Sequence, residues 1–270
     1  MSRRFLLPAV ALVLSCGSSP PPTPVAQATP TAEPPPPPPA APDAGPPAPA
    51  QPERPYLLER VGNTGIVQVY ADLFEQLSPQ QQTMAYELYR ASIAGDRITY
   101  DQRYAHNLAI KDLLEAILAF GASSPAMVEY TKLFWVNHGV HDMRTSRKYV
   151  PTGFTWEELR DAARRARAAG ATSLGASDAE VDALLERLRR PIFDAAFEPM
   201  CTNKSPPRGQ DILTASANTF YPGLRLRDLR GFRERYPLNS RVVRGQDGRI
   251  TELVYRAGDD QTPEGLYAAE

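Results

Sequence analysis

Between Pro20 and Pro55 the chain holds 17 of its 28 prolines, six of them in the unbroken run Pro34–Pro39. Proline donates no backbone hydrogen bond and fixes φ, so neither helix nor sheet propagates through such a stretch. The residues between the prolines are mostly Ala, Gln and Thr, which offer too little apolar surface to offset the entropy of ordering. Residues 17–55 are therefore expected to be a disordered linker. Extended as polyproline II at about 3.1 Å per residue, it makes a semi-rigid stalk on the order of 100 Å long. A ligand for an SH3-type groove is the other use of this composition. In both cases globular structure begins only near Tyr56.

The segment ahead of the stalk has the pattern of a targeting signal. Arg3 and Arg4 precede the apolar run Phe5–Leu14, which ends at Ser15-Cys16. The run is about half of the roughly 20 residues needed to cross a bilayer, and Pro8 weakens it further. Val-Leu-Ser-Cys resembles a bacterial lipoprotein cleavage box, in which the cysteine becomes the lipidated N-terminus. Residues 1–16 are then a lipoprotein-type signal peptide, and Cys16 is the lipidation site. The first partner is a membrane reached through the lipid anchor, and the location is the bacterial cell envelope, at its periplasmic or outer-membrane face. An ordinary secretory signal with an incidental cysteine is the alternative. Cys201 is the only other cysteine, so no disulfide framework is available.

A formal net charge of −1, from 30 basic and 31 acidic residues, lacks the basic excess of a nucleic-acid binder. The two basic stretches, Arg164–Gly170 and Arg225–Arg235, read as solvated helix faces balanced by nearby acids. No nucleic-acid partner is expected.

From Tyr56 onward the pattern is α+β, a helix-rich front followed by a β-hairpin. Gly65–Tyr70 is a short apolar, β-branched strand candidate. Ser78-Pro79 opens a helix that Gly95 is expected to stop. A second carries Leu108, Leu113, Leu114, Ile117 and Leu118 and ends at Gly121. A third starts at Ser124-Pro125, buries Met127, Tyr130 and Phe134, and ends near Gly139. Thr155 and Glu158 have capping-box spacing, and Ser177 and Glu180 repeat it before a helix expected to end ahead of Pro191. Leu226, Leu229 and Phe232 are at helical spacing. Residues 240–244 and 249–256 read as paired strands turning at Asp247-Gly248.

His138 and His141, with Asp142 adjacent, invite a metal reading. Two histidines this close do not make a site alone, because zinc takes at least three protein ligands. His106, the third histidine, sits on a different helix. A histidine in a last turn can instead bond orphan carbonyls and complement the helix dipole. No catalytic and no metal residue is assigned.

Several segments taken in order resemble one family. Residues 76–118, then Trp135–Pro151 with Lys148-Tyr149-Val150-Pro151, then Gly209–Leu224 and Pro237–Arg244 are similar to the front portion of the dipeptidyl peptidase III family, particularly its bacterial branch. That resemblance spans roughly residues 65–267. It implies the barrel-containing lobe of a two-lobed zinc metallopeptidase, an aminopeptidase that releases dipeptides from peptide N-termini. The family's zinc ligands come from a His-Glu-x-x-Gly-His motif or a one-residue-longer variant, and a downstream Glu-Glu-x-x-Ala-type helix. No His-Glu pair occurs in this chain. Glu157-Glu158-Leu159-Arg160-Asp161-Ala162 looks like the second motif, but it opens a capped helix. The resemblance therefore implies that residues 56–270 are a truncated N-terminal lobe, inactive alone and without zinc, the cofactor of the full-length family.

Two functions follow. One is a shortened peptidase that a second chain carrying the zinc lobe could complete. The other is a lipid-anchored module that binds peptides or proteins without catalysis. The matched segments contribute Asn218, Tyr221, Asn239 and Arg241 as cleft or structural candidates. For the two asparagines a structural role, satisfying backbone groups, stands beside that reading.

Overall fold

A computed structural model describes residues 54–121, 123–257 and 267. The segment expected to be a signal peptide, Cys16 and nearly all of the proline-rich stretch lie outside the described residues. The described chain is α+β, with five helices and two separate two-stranded antiparallel sheets. It divides into two compact units, the first ending at Leu73 and the second starting at Phe74.

In the first unit, β1 (Leu57–Val61) pairs with β2 (Thr64–Val67) across the two-residue loop Gly62–Asn63. Gly62 has φ +56, the sign that a two-residue hairpin turn requires. The strand expected at 65–70 thus stops at Val67, and β1 has no counterpart in the sequence reading. Tyr56 and Tyr70 meet edge to face at 5.5 Å.

The second unit is built on helices whose starts are written in the sequence. For α1 (Pro79–Arg103), Ser78 accepts from the Gln81 amide and Gln81 returns the bond to Ser78, with Pro79 in the first turn. For α3 (Pro125–Asn137), Ser124 accepts from the Met127 amide. For α4 (Trp156–Ala168), Thr155 and Glu158 cap each other, which accounts for the zinc-like Glu157-Glu158 pair. For α5 (Asp178–Phe193), Ser177 accepts from the Glu180 amide. The remaining helix, α2 (Asn107–Ala119), ends at Phe120 and Gly121, the latter at φ +67.

Two stops fall elsewhere than expected. α1 runs through Gly95 to Arg103, and Gly95 does not adopt a positive φ. Burial of Tyr100 and Tyr104 beyond it outweighs one glycine's poor propensity, on the order of 1 kcal/mol. α5 includes Pro191, a buried side chain in the last turn, and closes at Asp194. The 226–232 segment forms only a 3₁₀ turn, Leu226–Leu229, because Gly231 turns away at φ +81.

The core lies among α2, α3, α4 and α5 and the end of α1. Ile110, Leu113, Ile117, Phe134, Leu159, Leu185, Leu188 and Ile192 are fully buried in it. The basic face of α4 is paired across to α5: Arg164 and Arg160 with Asp182, and Arg167 with Asp178. Beyond the helices, β3 (Ser240–Arg244) and β4 (Ile250–Val254) pair from Ser240↔Val254 to Arg244↔Ile250, with Gly248 at φ +80 in the turn. The described strands do not close into a barrel.

Candidate functional site

Polar side chains converge on the last turns of α1. Asn107, fully buried, bridges three backbones: its amide donates to the Tyr100 and His138 carbonyls, and its oxygen accepts from the Val140 amide. Gly139 at φ +134 passes so close that a Cβ there would lie 2.1 Å from Asn107 Nδ2. His138 ends α3 in the left-handed conformation at φ 48. The helix-end reading of this stretch therefore holds for the backbone.

The rings do something other than cap α3. His138 Nε2 is 3.0 Å from Asp96 Oδ1 on α1, and the ring rests on Tyr100. His141, 1% exposed, has Nε2 2.9 Å from the Glu198 carbonyl. Burial pushes the His141 imidazole down to about 4, so it is neutral and Nε2–H is the donor. The Nδ1 atoms of both rings are buried without a partner. Each ring thus has one nitrogen engaged already. Among the described residues no three His, Cys, Asp or Glu side chains stand together as a metal would need. This donor set does not fit a catalytic zinc.

Around His141 the segment 197–201 is tied to α1. Tyr104 donates to Glu198 at 2.5 Å, and burial together with that carboxylate holds its phenol far above the ordinary range. Lys148 donates to the Phe197 carbonyl and lies over the Tyr104 and Phe197 rings. Burial lowers its ammonium to about 8, with Glu198 pulling the other way. Arg103 donates to the His141 carbonyl, and the buried Cys201 thiol donates to the Arg103 carbonyl. These contacts tie Arg103 and Tyr104, at the end of α1, to 141–148 and 197–201, and tie those two segments to each other, so the cluster holds chain segments together.

The four cleft candidates separate. Arg241 is 2.8 Å from Asp101 on α1, bonds the Thr219 carbonyl, and faces the Tyr255 ring. Tyr267 donates to the same Asp101 oxygen at 2.7 Å and stacks on Tyr255. Asn218 bonds the Cys201 carbonyl and the Thr202 hydroxyl, which is the structural reading given for it. Tyr221 donates to Glu234 instead, and burial pushes its phenol up to about 12. Asn239 is exposed; its carbonyl accepts from the Tyr255 amide. Asp101, Tyr104 and Glu198 were not singled out in the sequence, although the first two lie inside the matched segments, and Lys148 was named only as part of the Lys148–Pro151 element.

A shallow depression of about 460 Å³ elsewhere is lined by Gly209, Gln210, Asp211, Thr214, Ala215 and Arg225. Asp211 accepts from the Leu213 and Leu226 amides, which holds its carboxylate against the backbone.

The front of α1 differs from all of this. Residues 79–95 contain no buried side chain. Met84, Tyr86, Leu88 and Ile93 are 59%, 50%, 62% and 51% exposed. At 100° per residue, Met84, Leu88 and Ala91 form one stripe, with Tyr86 and Ile93 on the opposite flank.

No family model matches this chain, and no curated protein matches it in sequence. The resemblance to dipeptidyl peptidase III rests on the quoted segments alone.

Proposed function

We propose that this chain is a non-catalytic interaction module of dipeptidyl peptidase III-like build, held at the bacterial envelope by lipid on Cys16. The observation that carries the reading is the apolar front of α1. Helical side chains left in water on a folded domain have the composition of a docking face. The matched segments support the build, in which the hairpins belong to the barrel-containing lobe of a two-lobed metallopeptidase plan. The partner class is a protein or peptide with a complementary apolar surface. The non-catalytic reading is supported by the paired histidines, whose Nε2 atoms are engaged by the Asp96 carboxylate and the Glu198 carbonyl.

The test places a photoreactive residue at 86, 88 or 186 of the full chain in cells. Adducts at 86 or 88 and none at the exposed position 186 are expected; equal labelling at all three removes the docking reading. The purified chain, given zinc, is expected not to release dipeptides from a dipeptide–arylamide. Zinc-dependent release abolished by His138→Ala with His141→Ala would overturn the non-catalytic reading. Cys16→Ala is expected to leave the membrane fraction, since the stalk has no apolar surface to hold it there; equal membrane association of the mutant would remove the anchor.

A further inference from the structure

We propose that the docking partner on one face of α1 is a second copy of this chain, paired antiparallel along Met84, Leu88, Ala91 and Gly95. The proposal rests on the docking reading above and specifies its occupant.

These four residues are spaced by four, three and four, the repeat that keeps one seam of a helix against a partner helix. Met84, Leu88 and Ala91 are exposed, and a Cβ built on Gly95 meets nothing within 4 Å. Of the half-covered residues of this stretch, Gln82, Ala85 and Tyr89 lie on another side of the helix, and Gly95 is half-covered at the seam's far end but has open space at its Cβ position, so the seam is open from Met84 to Ala91 and leaves room at Gly95. Gln81 and Ile98 extend the same spacing at either end.

Size selects the occupant. Along the stripe the two large side chains come first and the two small ones last. Reversing a second copy against the first sets Met84 over Gly95 and Leu88 over Ala91, and repeats both contacts across the two-fold axis. Each layer then holds one large and one small residue, the arrangement that fills a seam without voids. A parallel pair would stack Met84 on Met84 and leave a gap at Gly95.

Charge agrees with this choice. Residues 79–95 carry one acid, Glu87, and one base, Arg90, which already pair with each other. Two copies therefore approach without net repulsion on this stretch. The antiparallel arrangement also sends the two helical cores, whose buried residues begin at Tyr100, to opposite ends of the pair.

The experiment uses the full chain in the Cys16→Ala background, measured by sedimentation and by oxidative cross-linking. A concentration-dependent dimer is expected. Leu88→Glu should weaken it about a hundredfold, because two carboxylates would enter an apolar seam. Tyr86→Glu, on the opposite flank, should leave it unchanged. Mixing Leu88→Cys chains with Ala91→Cys chains should give the mixed disulfide in preference to Leu88→Cys homodimers. Unchanged thermal midpoints of the Leu88→Glu monomer confirm that folding is intact. A monomeric wild type, a dimer lost with Tyr86→Glu but not Leu88→Glu, or preferential Leu88→Cys homodisulfides would each overturn the proposal. Adducts at position 88 with a protein other than this chain, beside a monomeric wild type, would leave the docking reading standing and remove only the self-pairing.

Discussion

Residues 79–95 and residues 107–193 are both largely helical, yet they treat the same residue types in opposite ways. In the second stretch, leucines, isoleucines and phenylalanines such as Leu113, Ile117, Phe134 and Leu188 are removed from water altogether. In the first, Met84, Leu88 and Ile93 stay more than half exposed. Helix formation in the front part rests on the Ser78 cap, Pro79 and good intrinsic formers. In the body it rests on packing. Apolar residues within a helix therefore take two different places here, a core and a surface left in water.

The sharpest way to break that contrast is truncation in each region. Phe134→Ala, which empties a fully buried site stacked on Tyr100, should cost about 3–5 kcal/mol of stability. Leu88→Ala should change the stability of the monomer by less than about 0.5 kcal/mol. Denaturant melts of dilute protein measure both, and similar losses would mean that the front of α1 is packed after all.

Acid should find the body first. The His141 imidazole is depressed from its ordinary value of 6.5 to about 4 in the fold, so below 6.5 the unfolded chain binds a proton that the folded chain refuses. Its stabilising contribution is complete above that value and is lost as pH falls from about 6.5 to about 4, up to about 3 kcal/mol. Asp142 acts in the same direction. Partial burial raises its carboxyl, but the amide and hydroxyl of Thr145 overcome this and hold it below the ordinary carboxylate range. A His141→Gln variant whose stability falls just as steeply over that interval would remove His141 as the cause.

Asn107→Ala should cost about 2 kcal/mol, because the Tyr100 and His138 carbonyls and the Val140 amide lose a buried partner together. Chemical denaturation reads this directly, and a neutral result would mean that water replaces the amide. The smallest effect should come from the front region and be a gain. Gly95→Ala, at a helical position with open space around it, should stabilise the monomer by about 0.5–1 kcal/mol. A loss in the thermal midpoint would place an unseen neighbour at Gly95.

Helix starts were legible because a cap is local. Ser78, Ser124, Thr155 and Ser177 each meet their partner within three residues. Stops were less so. Gly95 and Pro191 have the chemistry of breakers, but what decides there is burial of Tyr100, Tyr104 and Ile192, which depends on other helices. The 240–254 hairpin was readable from alternation and Asp247-Gly248, whereas β1 was missed because Leu57–Val61 carries no alternation that stands out. The polar site shows the limit most plainly. Arg241 was reached through a family resemblance, but its partner Asp101 lies 140 residues earlier. Likewise the Nε2 partner of His141 is the backbone carbonyl of Glu198, and no side-chain spacing encodes a carbonyl.

The division of α1 between an open front and an anchored end has a consequence for amide hydrogen exchange. Beyond Gly95 the helix is fastened by Asp96 to His138, by Asp101 to Arg241 and Tyr267, and by Tyr104 to Glu198. Its last turns can open only when those segments let go. Among the described residues the turns before Gly95 have no such fastening, and they can fray from Ser78 inward while the body stays folded. One continuous helix should then show two protection classes: amides 83–94 exchanging by local opening, and amides 98–103 exchanging only with the whole second unit.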